Sequence, residues 1–400
     1  MPIFASLDLL PEDPILSITG HFNADPRPQK VNLGVGTYKD EDGNPYPFSS
    51  VRKAEALILK ENLNKEYLPI DGDTDYCNES LKLVFGEDLV ASDKGTLYGI
   101  QGVGGAGALR IGADLLKKSG VSTIWISDPT WPNHKGIFER AGLRTVFYPY
   151  YNFEKHQILF SELCEIIKNI PTGDAICLHG CCHNPTGTDF SMEQWKILSD
   201  LIKKRGIIPF FDLAYQGFKK GIEEDAAPIR LFYEQGHEML VASSYSKNFG
   251  LYGERAGFLA IVIHEKESMQ KVISQVRSLI RTTYSNPPIH PARIVKTLLK
   301  SPSLKQEWLE ELATIRARIK EMRHALFVGL SANGNERRFA FLNEQSGIFS
   351  FIGLDARQVE ILRQENGIYM PANGRINVAG LNTHNINYVV EALLACNIRK

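Results

Sequence analysis

The sequence predicts an α/β protein with a mostly parallel sheet and a smaller α+β unit attached. Three observations carry that prediction. The middle of the chain alternates apolar, β-branched runs with amphipathic helical stretches, the pattern of strands covered on both faces. After about Pro302 the alternation gives way to a long charged stretch, residues 304–330, which reads as a solvated helix linking two lobes. The tail then mixes short strand and helix patterns, as a separate small layer would.

In chain order, the first forty-odd residues are rich in proline (Pro11, Pro14, Pro26, Pro28) and read as an extended arm. A Gly-rich segment opens a helix over 106–118. Strands are expected at 123–127, 145–150, 175–179, 207–211, 240–243 and 257–263. Between them fall helices at 161–170, 192–205 and 228–235. The tail gives a strand at 348–351, a helix at 356–365, a short strand, a strand at 376–379 and a closing helix. A cleft between two lobes is a natural place for a small ligand.

A chain of 400 residues is longer than one core usually supports, so two or three domains are expected. Basic and acidic residues number 45 and 46, for a net charge of −1. That balance offers no basic excess to attract nucleic acid or an anionic membrane surface. Six cysteines are scattered, and only Cys181 and Cys182 adjoin; sequence neighbours make poor disulfide partners, so reduced thiols in the cytoplasm are expected. No apolar run reaches the ~18 residues of a membrane helix, and the start has no signal or transit character. The chain reads as a soluble handler of small molecules.

Five segments carry chemistry. In Val241-Ala242-Ser243-Ser244-Tyr245-Ser246-Lys247, an apolar strand runs into hydroxyl residues and then one lysine, with Arg255 eight residues on. A lysine desolvated at a sheet edge can bond to a carbonyl carbon, and the arginine suits a phosphate; a solvated loop lysine is the plain alternative. In Ile207 to Phe218, Asp212 ends an apolar strand, where a carboxylate needs a protonated partner such as a pyridinium N–H or else caps the following helix. In Leu178-His179-Gly180-Cys181-Cys182-His183-Asn184-Pro185-Thr186-Gly187, the Cys-Cys-His cluster lacks the spacing and second pair of a zinc site, so no metal is expected. The turn instead aims the Asn184 amide into the cleft. Gly102 to Arg110 resembles a phosphate-binding glycine loop at a helix start; no strand of dinucleotide-fold character is read before it, which argues against NAD. In Asp128-Pro129-Thr130-Trp131-Pro132, a tryptophan held between prolines suits stacking on a planar ring, or a place in the core.

Occurring in this order, the segments resemble the aspartate aminotransferase family, subgroup Iα of the fold type I pyridoxal-phosphate enzymes, and its relatives for aromatic amino acids. HGCCHNPTG, DLAYQGF, SSYSKNFGLYGER, YSNPP and GRINVAG carry the resemblance, which runs from Asp13-Pro14-Ile15-Leu16 to Gly374-Arg375 and on to Gly380. It implies a seven-stranded, mostly parallel sheet in a large domain (45–310), a small domain (15–44 and 311–400) and an N-terminal arm (1–14). It also implies a homodimer with shared sites and pyridoxal 5'-phosphate as cofactor. The implied reaction moves an amino group between L-aspartate and 2-oxoglutarate, with tyrosine or phenylalanine as alternative donors.

The residue roles follow from the same resemblance. Lys247 bonds to the cofactor and moves protons. Asp212 pairs with the ring nitrogen, supported by His134 and His179. Asn184 and Tyr215 hold the phenolic oxygen, and Trp131 stacks on the ring. The phosphate falls to Ser244, Arg255, the backbone of Gly105 and the partner subunit's Tyr67. The substrate α-carboxylate docks on Arg375 and Asn184, near Gly36 and Phe349, and a distal carboxylate meets Arg281 from the partner. Glu66 and Thr37 stand near the expected pocket. One departure is Ala106, where the family usually places a hydroxyl residue on the phosphate.

Overall fold

Long strands buried at every residue belong in the middle of a covered sheet, and among the described strands of five or more residues three are of that kind: Ala175–His179, Met239–Ser244 and Ala256–Val262. The computed structural model describes residues 3–334 and 336–396. Its main sheet has seven strands, numbered here among themselves: β1 Leu97–Val103, β2 Thr123–Asp128, β3 Arg144–Pro149, β4 Ala175–His179, β5 Ile208–Leu213, β6 Met239–Ser244 and β7 Ala256–Val262. Their spatial order is 1-7-6-5-4-2-3. Only β7 runs antiparallel to its neighbours, so the other six end at one edge.

The alternation along a strand divides the core into two faces. Phe211 packs edge-on against Phe232 at 5.0 Å on one face, while Phe210 meets Phe138 at 6.0 Å on the other. Under the Phe210 ring lies Gly112 of the helix Gly104–Lys118, where a Cβ would come within 2.4 Å of the ring. The helix Met192–Arg205 falls where its pattern places it. Ser191 and Gln194 close a reciprocal capping box at its start, and Gly206 ends it in the left-handed region.

The smaller unit has two two-stranded pairings, Val31–Asn32 with Ile368–Tyr369 and Phe349–Phe351 with Arg375–Asn377. The helix Pro302–Ser331 ties it to the large sheet. It starts on a Ser301 cap with Pro302 in the first turn. Trp308, Leu312, Ile315, Ile319, Met322, Leu326 and Leu330 are all buried, at the three- and four-residue spacing of one helix face. The expectation of a solvated linker is corrected accordingly: only the charged face meets water.

Three more expectations change. The N-terminal stretch is not extended throughout, because Leu16–Ala24 is helical and Asp13 Oδ1 accepts the N–H groups of Ile15 and Leu16 at 2.9 and 2.8 Å. A strand, β1, does precede the Gly-rich segment, so that particular argument against NAD falls. The helix expected from residue 228 starts at Ile222 and carries Pro228 inside it. Among the described residues, no helix is long and apolar enough to cross a membrane, and no cluster could hold a metal ion.

Candidate active site

The parallel register brings the chemistry together. His179 at the end of β4 lies opposite Asp212 of β5, which lies opposite Ala242 of β6. Ser244, Ser246 and Lys247 then follow directly at the same edge. There a cavity of about 400 Å³ opens between the sheet and the smaller unit. Trp131, Asp212 and Lys247 line one side, and Gly36, Phe349 and Arg375 the other.

One end of the cavity is an anion cradle. Gly104 has φ +65, and a Cβ there would sit 2.2 Å from the Arg255 guanidinium; a Cβ on Gly257 of β7 would sit 2.3 Å from the Gly104 backbone. The missing side chains let the helix start, the strand and the arginine close on one point. Gly105, Ala106 and Ser244 line that end. Arg255 donates to Tyr252 O at 3.0 Å and Ser246 Oγ at 3.3 Å and has no acidic partner among the described residues. A helix N-terminus beside serine hydroxyls and a guanidinium without an acidic partner among the described residues gathers the donors that a phosphate requires.

At the centre stands Lys247. Burial pulls its pKa down to about 8, with Asp212 resisting and Arg255 assisting. Its Nζ lies 5.1 Å from the centre of the Tyr215 ring and has no hydrogen bond among the described residues. Burial is the largest influence on the Asp212 carboxylate and works against it, but the hydrogen bond from His134 together with the electrostatic pull of His134, His179 and Lys247 lowers the pKa on balance.

Behind Asp212 runs a chain of hydrogen bonds whose direction can be worked out from one end. The Asn184 N–H can only donate, and it meets His179 Nδ1 at 3.4 Å. Burial lowers the His179 pKa to about 3, so the ring is neutral and its one proton is on Nε2. That proton goes to Thr130 Oγ1 at 3.2 Å. The Thr130 hydroxyl is then free to donate to His134 Nδ1 at 2.8 Å, and His134 Nε2–H donates to Asp212 Oδ2 at 3.1 Å. A second proton on His134 would enter at Nδ1 and turn Thr130 into a double acceptor. Either way Nε2–H stays on Asp212. Burial opposes charge on His134, whereas Cys177 and Asp212 favour it and raise the pKa to about 10.

Opposite Lys247, Arg375 is 2% exposed. It donates to Gly34 O at 2.5 Å and to Asn184 Oδ1 at 3.2 Å, and its guanidinium lies 4.1 Å over the Phe349 ring. Its Nε has no hydrogen-bond partner among the described residues. A buried cation held only by neutral groups, with a donor left over, still lacks the anion that such burial calls for. Because Asn184 turns its oxygen to Arg375, its amide nitrogen is left to donate.

The structure therefore gathers Gly36, Gly105, Ala106, Trp131, Asn184, Asp212, Tyr215, Ser244, Lys247, Arg255, Phe349 and Arg375 around one cavity. His179 does not line it; it stands one layer back, behind Thr130 and Asn184. Tyr67 and Arg281 are not brought in. Tyr67 is 83% exposed, and Arg281 lies on the surface and donates to its own neighbour Ser285. Sequence reasoning missed Tyr252, which lines the cavity while its hydroxyl accepts the Tyr38 N–H at 2.9 Å. Its place between Lys247 and Arg255 was the available signal.

Residues 28–393 match the family model for aminotransferase class I and II. The chain belongs to that family. It is 44% identical to the aspartate aminotransferase of Salmonella typhi over 98% of this chain and all of that one. An aromatic-amino-acid aminotransferase from Burkholderia pseudomallei, solved with pyridoxal phosphate covalently bound, superposes with a TM-score of 0.95 at 45% identity, covering 99% of this chain and 100% of that one. A psychrophilic aromatic aminotransferase from Psychrobacter sp. B6, cocrystallised with aspartic acid, gives a TM-score of 0.96 at 39% identity over 98% and 99% of the two chains. This aminotransferase has the fold type I architecture expected from its motifs.

Proposed function

We propose that the protein transfers the amino group between L-aspartate and 2-oxoglutarate, using pyridoxal 5'-phosphate, in two half-reactions with ping-pong kinetics. The observation that carries this reading is Arg375, buried with an unpartnered Nε, facing the cavity that also holds an amine with a lowered pKa.

The residues present fit the cofactor. The cradle of Gly105, Ser244 and Arg255 takes the phosphate, Asp212 the ring nitrogen, Asn184 and Tyr215 the phenolic oxygen, and Trp131 the ring face. When bound, pyridoxal phosphate supplies an aldehyde carbon that takes the amino group and a protonated ring that draws off electron density from Cα. The protein's own work is positional and acid–base. Arg375 grips the α-carboxylate through two parallel hydrogen bonds and fixes the direction of the Cα–H bond. The Lys247 amine, neutral in good part near pH 8, moves the Cα proton. Asp212, kept anionic by His134, holds positive charge on the ring nitrogen.

A second copy of the chain belongs to this reading. Ile3, Phe4, Leu7, Leu9 and Leu10 are between 73% and 100% exposed, an apolar arm that a partner subunit would cover. Tyr67 and Arg281 would then complete the partner's site, the first on the phosphate and the second on the distal carboxylate. The proposed division sets 15–44 and 311–400 against 45–310.

A second reading, transfer from tyrosine or phenylalanine, is favoured by the names of the solved relatives and by Ile15, Leu16 and Val35 at the cavity. Comparing kcat/KM for aspartate and phenylalanine, each with 2-oxoglutarate, separates the two. A higher value for phenylalanine would replace the first reading with the second. A colourless protein indifferent to added cofactor would end both.

A further inference from the structure

Asp189 lies just beyond the turn that carries Asn184, and its side chain is 5% exposed. Its Oδ1 accepts the His183 N–H at 2.8 Å, and its Oδ2 accepts the Cys182 N–H at 2.9 Å. Cys182 has φ +51, a conformation a side-chain-bearing residue avoids unless its surroundings hold it. Oδ2 takes two further partners from elsewhere in the fold. Lys219 Nζ stands 3.0 Å away, and Ser346 Oγ donates at 2.8 Å.

Those partners come from segments that reach the cavity. Lys219 follows Tyr215 by four residues on the loop after β5, and its own N–H is pinned to Asp225 at 2.9 Å. Ser346 precedes Phe349, the ring beneath Arg375. The Ser346 N–H also donates to Gly187 O at 2.7 Å, and Gly187, at φ +68, would put a Cβ 2.4 Å from Phe349 O. Around the pair stand Cys181, Cys182 and Asp225, and the buried Arg323, which donates to Gly347 O. A buried carboxylate whose four donors come from three separate segments holds those segments in register.

We propose that the ion pair between half-buried Lys219 and buried Asp189 is a positioning latch, locking the loops that carry Tyr215 and Asn184 to each other and, through Ser346, to the turn that carries Phe349 beneath Arg375. Neither residue touches the cavity; both act through those that do. The inference rests on the roles proposed above for Asn184, Tyr215 and Arg375.

The test uses the cofactor-loaded enzyme and three readouts: the pH titration of the cofactor's visible band, the dissociation constant of succinate (a dicarboxylate with no amino group), and KM against kcat. Lys219→Met and Asp189→Asn are each expected to move the band titration and weaken succinate roughly tenfold, the scale of one lost charge-assisted contact. KM should rise more than kcat falls. The double variant should be less impaired than the sum of the two singles, because the pair acts as a unit. Unchanged titration and succinate affinity, with only the melting temperature lowered, would make the pair a plain structural staple and overturn the proposal. Should both singles fail to fold, Ser346→Ala leaves the ion pair intact and must by itself weaken succinate; no change there overturns the latch. Tyr215→Phe is the control for the underlying reading. If it leaves the band unmoved, the cofactor assignment is at fault; if it moves the band while Lys219→Met does not, only the latch is.

Discussion

Burial of the Lys247 amine gives the fold a pH signature. An amine held near pKa 8 in the fold and 10.5 in the unfolded chain is protonated less readily when folded. Below pH 8 the fold must carry the unfavourable charge, and between about pH 8 and 10.5 the unfolded chain binds the extra proton, so stability from this group rises with pH across that window. In the cofactor-free protein, Lys247→Met should therefore raise stability at pH 7 by at most about 3 kcal/mol, a gain that fades above pH 10. Denaturant melts at the two pH values measure it, and a gain that persists at pH 10.5 would contradict the assignment. Arg375→Met should lower kcat/KM for aspartate by at least about a hundredfold, since two charge-assisted hydrogen bonds go. Kinetics read the loss, and the cofactor's absorbance should be retained. Ala106→Ser should tighten cofactor binding by restoring a hydroxyl at the phosphate; an unchanged dissociation constant would refute that. The residue types at Lys247, Asp212 and Arg375 were legible because their chemistry and order are unusual. Thr130 was not, because a lone hydroxyl gives no sign in a sequence of the two imidazoles it will bridge.

At the scale of elements, legibility tracked how freely the backbone could be covered by apolar side chains. β4 and β6 read easily from unbroken apolar runs. β1 escaped because Gly99 and Gly102 interrupt it, and both are glycines for reasons that lie elsewhere in the fold. A Cβ on Gly99 would come 2.7 Å from the Phe258 ring, and one on Gly102 3.1 Å from Ala108. The helix Leu16–Ala24 escaped because Gly20, a β-branched pair and flanking prolines dilute its pattern, while its Asp13 cap acts from outside it. Gly257→Ala tests how closely β7 and the helix start must approach. The added carbon meets the Gly104 backbone, so it should separate the helix start from β7. Pyridoxal-phosphate affinity should then fall along with stability, by about 1–3 kcal/mol in the latter. Titrating the cofactor into the cofactor-free variant checks the first, and thermal melting the second.

For the whole molecule, the features furthest from single-chain physics were the hardest to read. Nothing in the pattern around Tyr67 or Arg281 says that an exposed residue serves a neighbouring site; only the family resemblance pointed there. Mixing tests it. Lys247→Ala and Arg281→Asp chains should each be inactive toward aspartate alone. When the two are unfolded and refolded together, activity should return, because one mixed site would carry an intact lysine and an intact arginine. Silence from the mixture would mean each chain builds its site alone. The long helix adds a mechanical point. Thirty residues make a rod of about 45 Å. Near its start the Trp308 indole is pinned by a 2.6 Å hydrogen bond to Asn248 O, the carbonyl next to Lys247. Farther along, Arg318 donates to Lys39 O at 2.7 Å and Leu381 O at 3.0 Å in the smaller unit, so the rod is fastened at both ends and any shift of that unit is passed down it to the peptide beside Lys247.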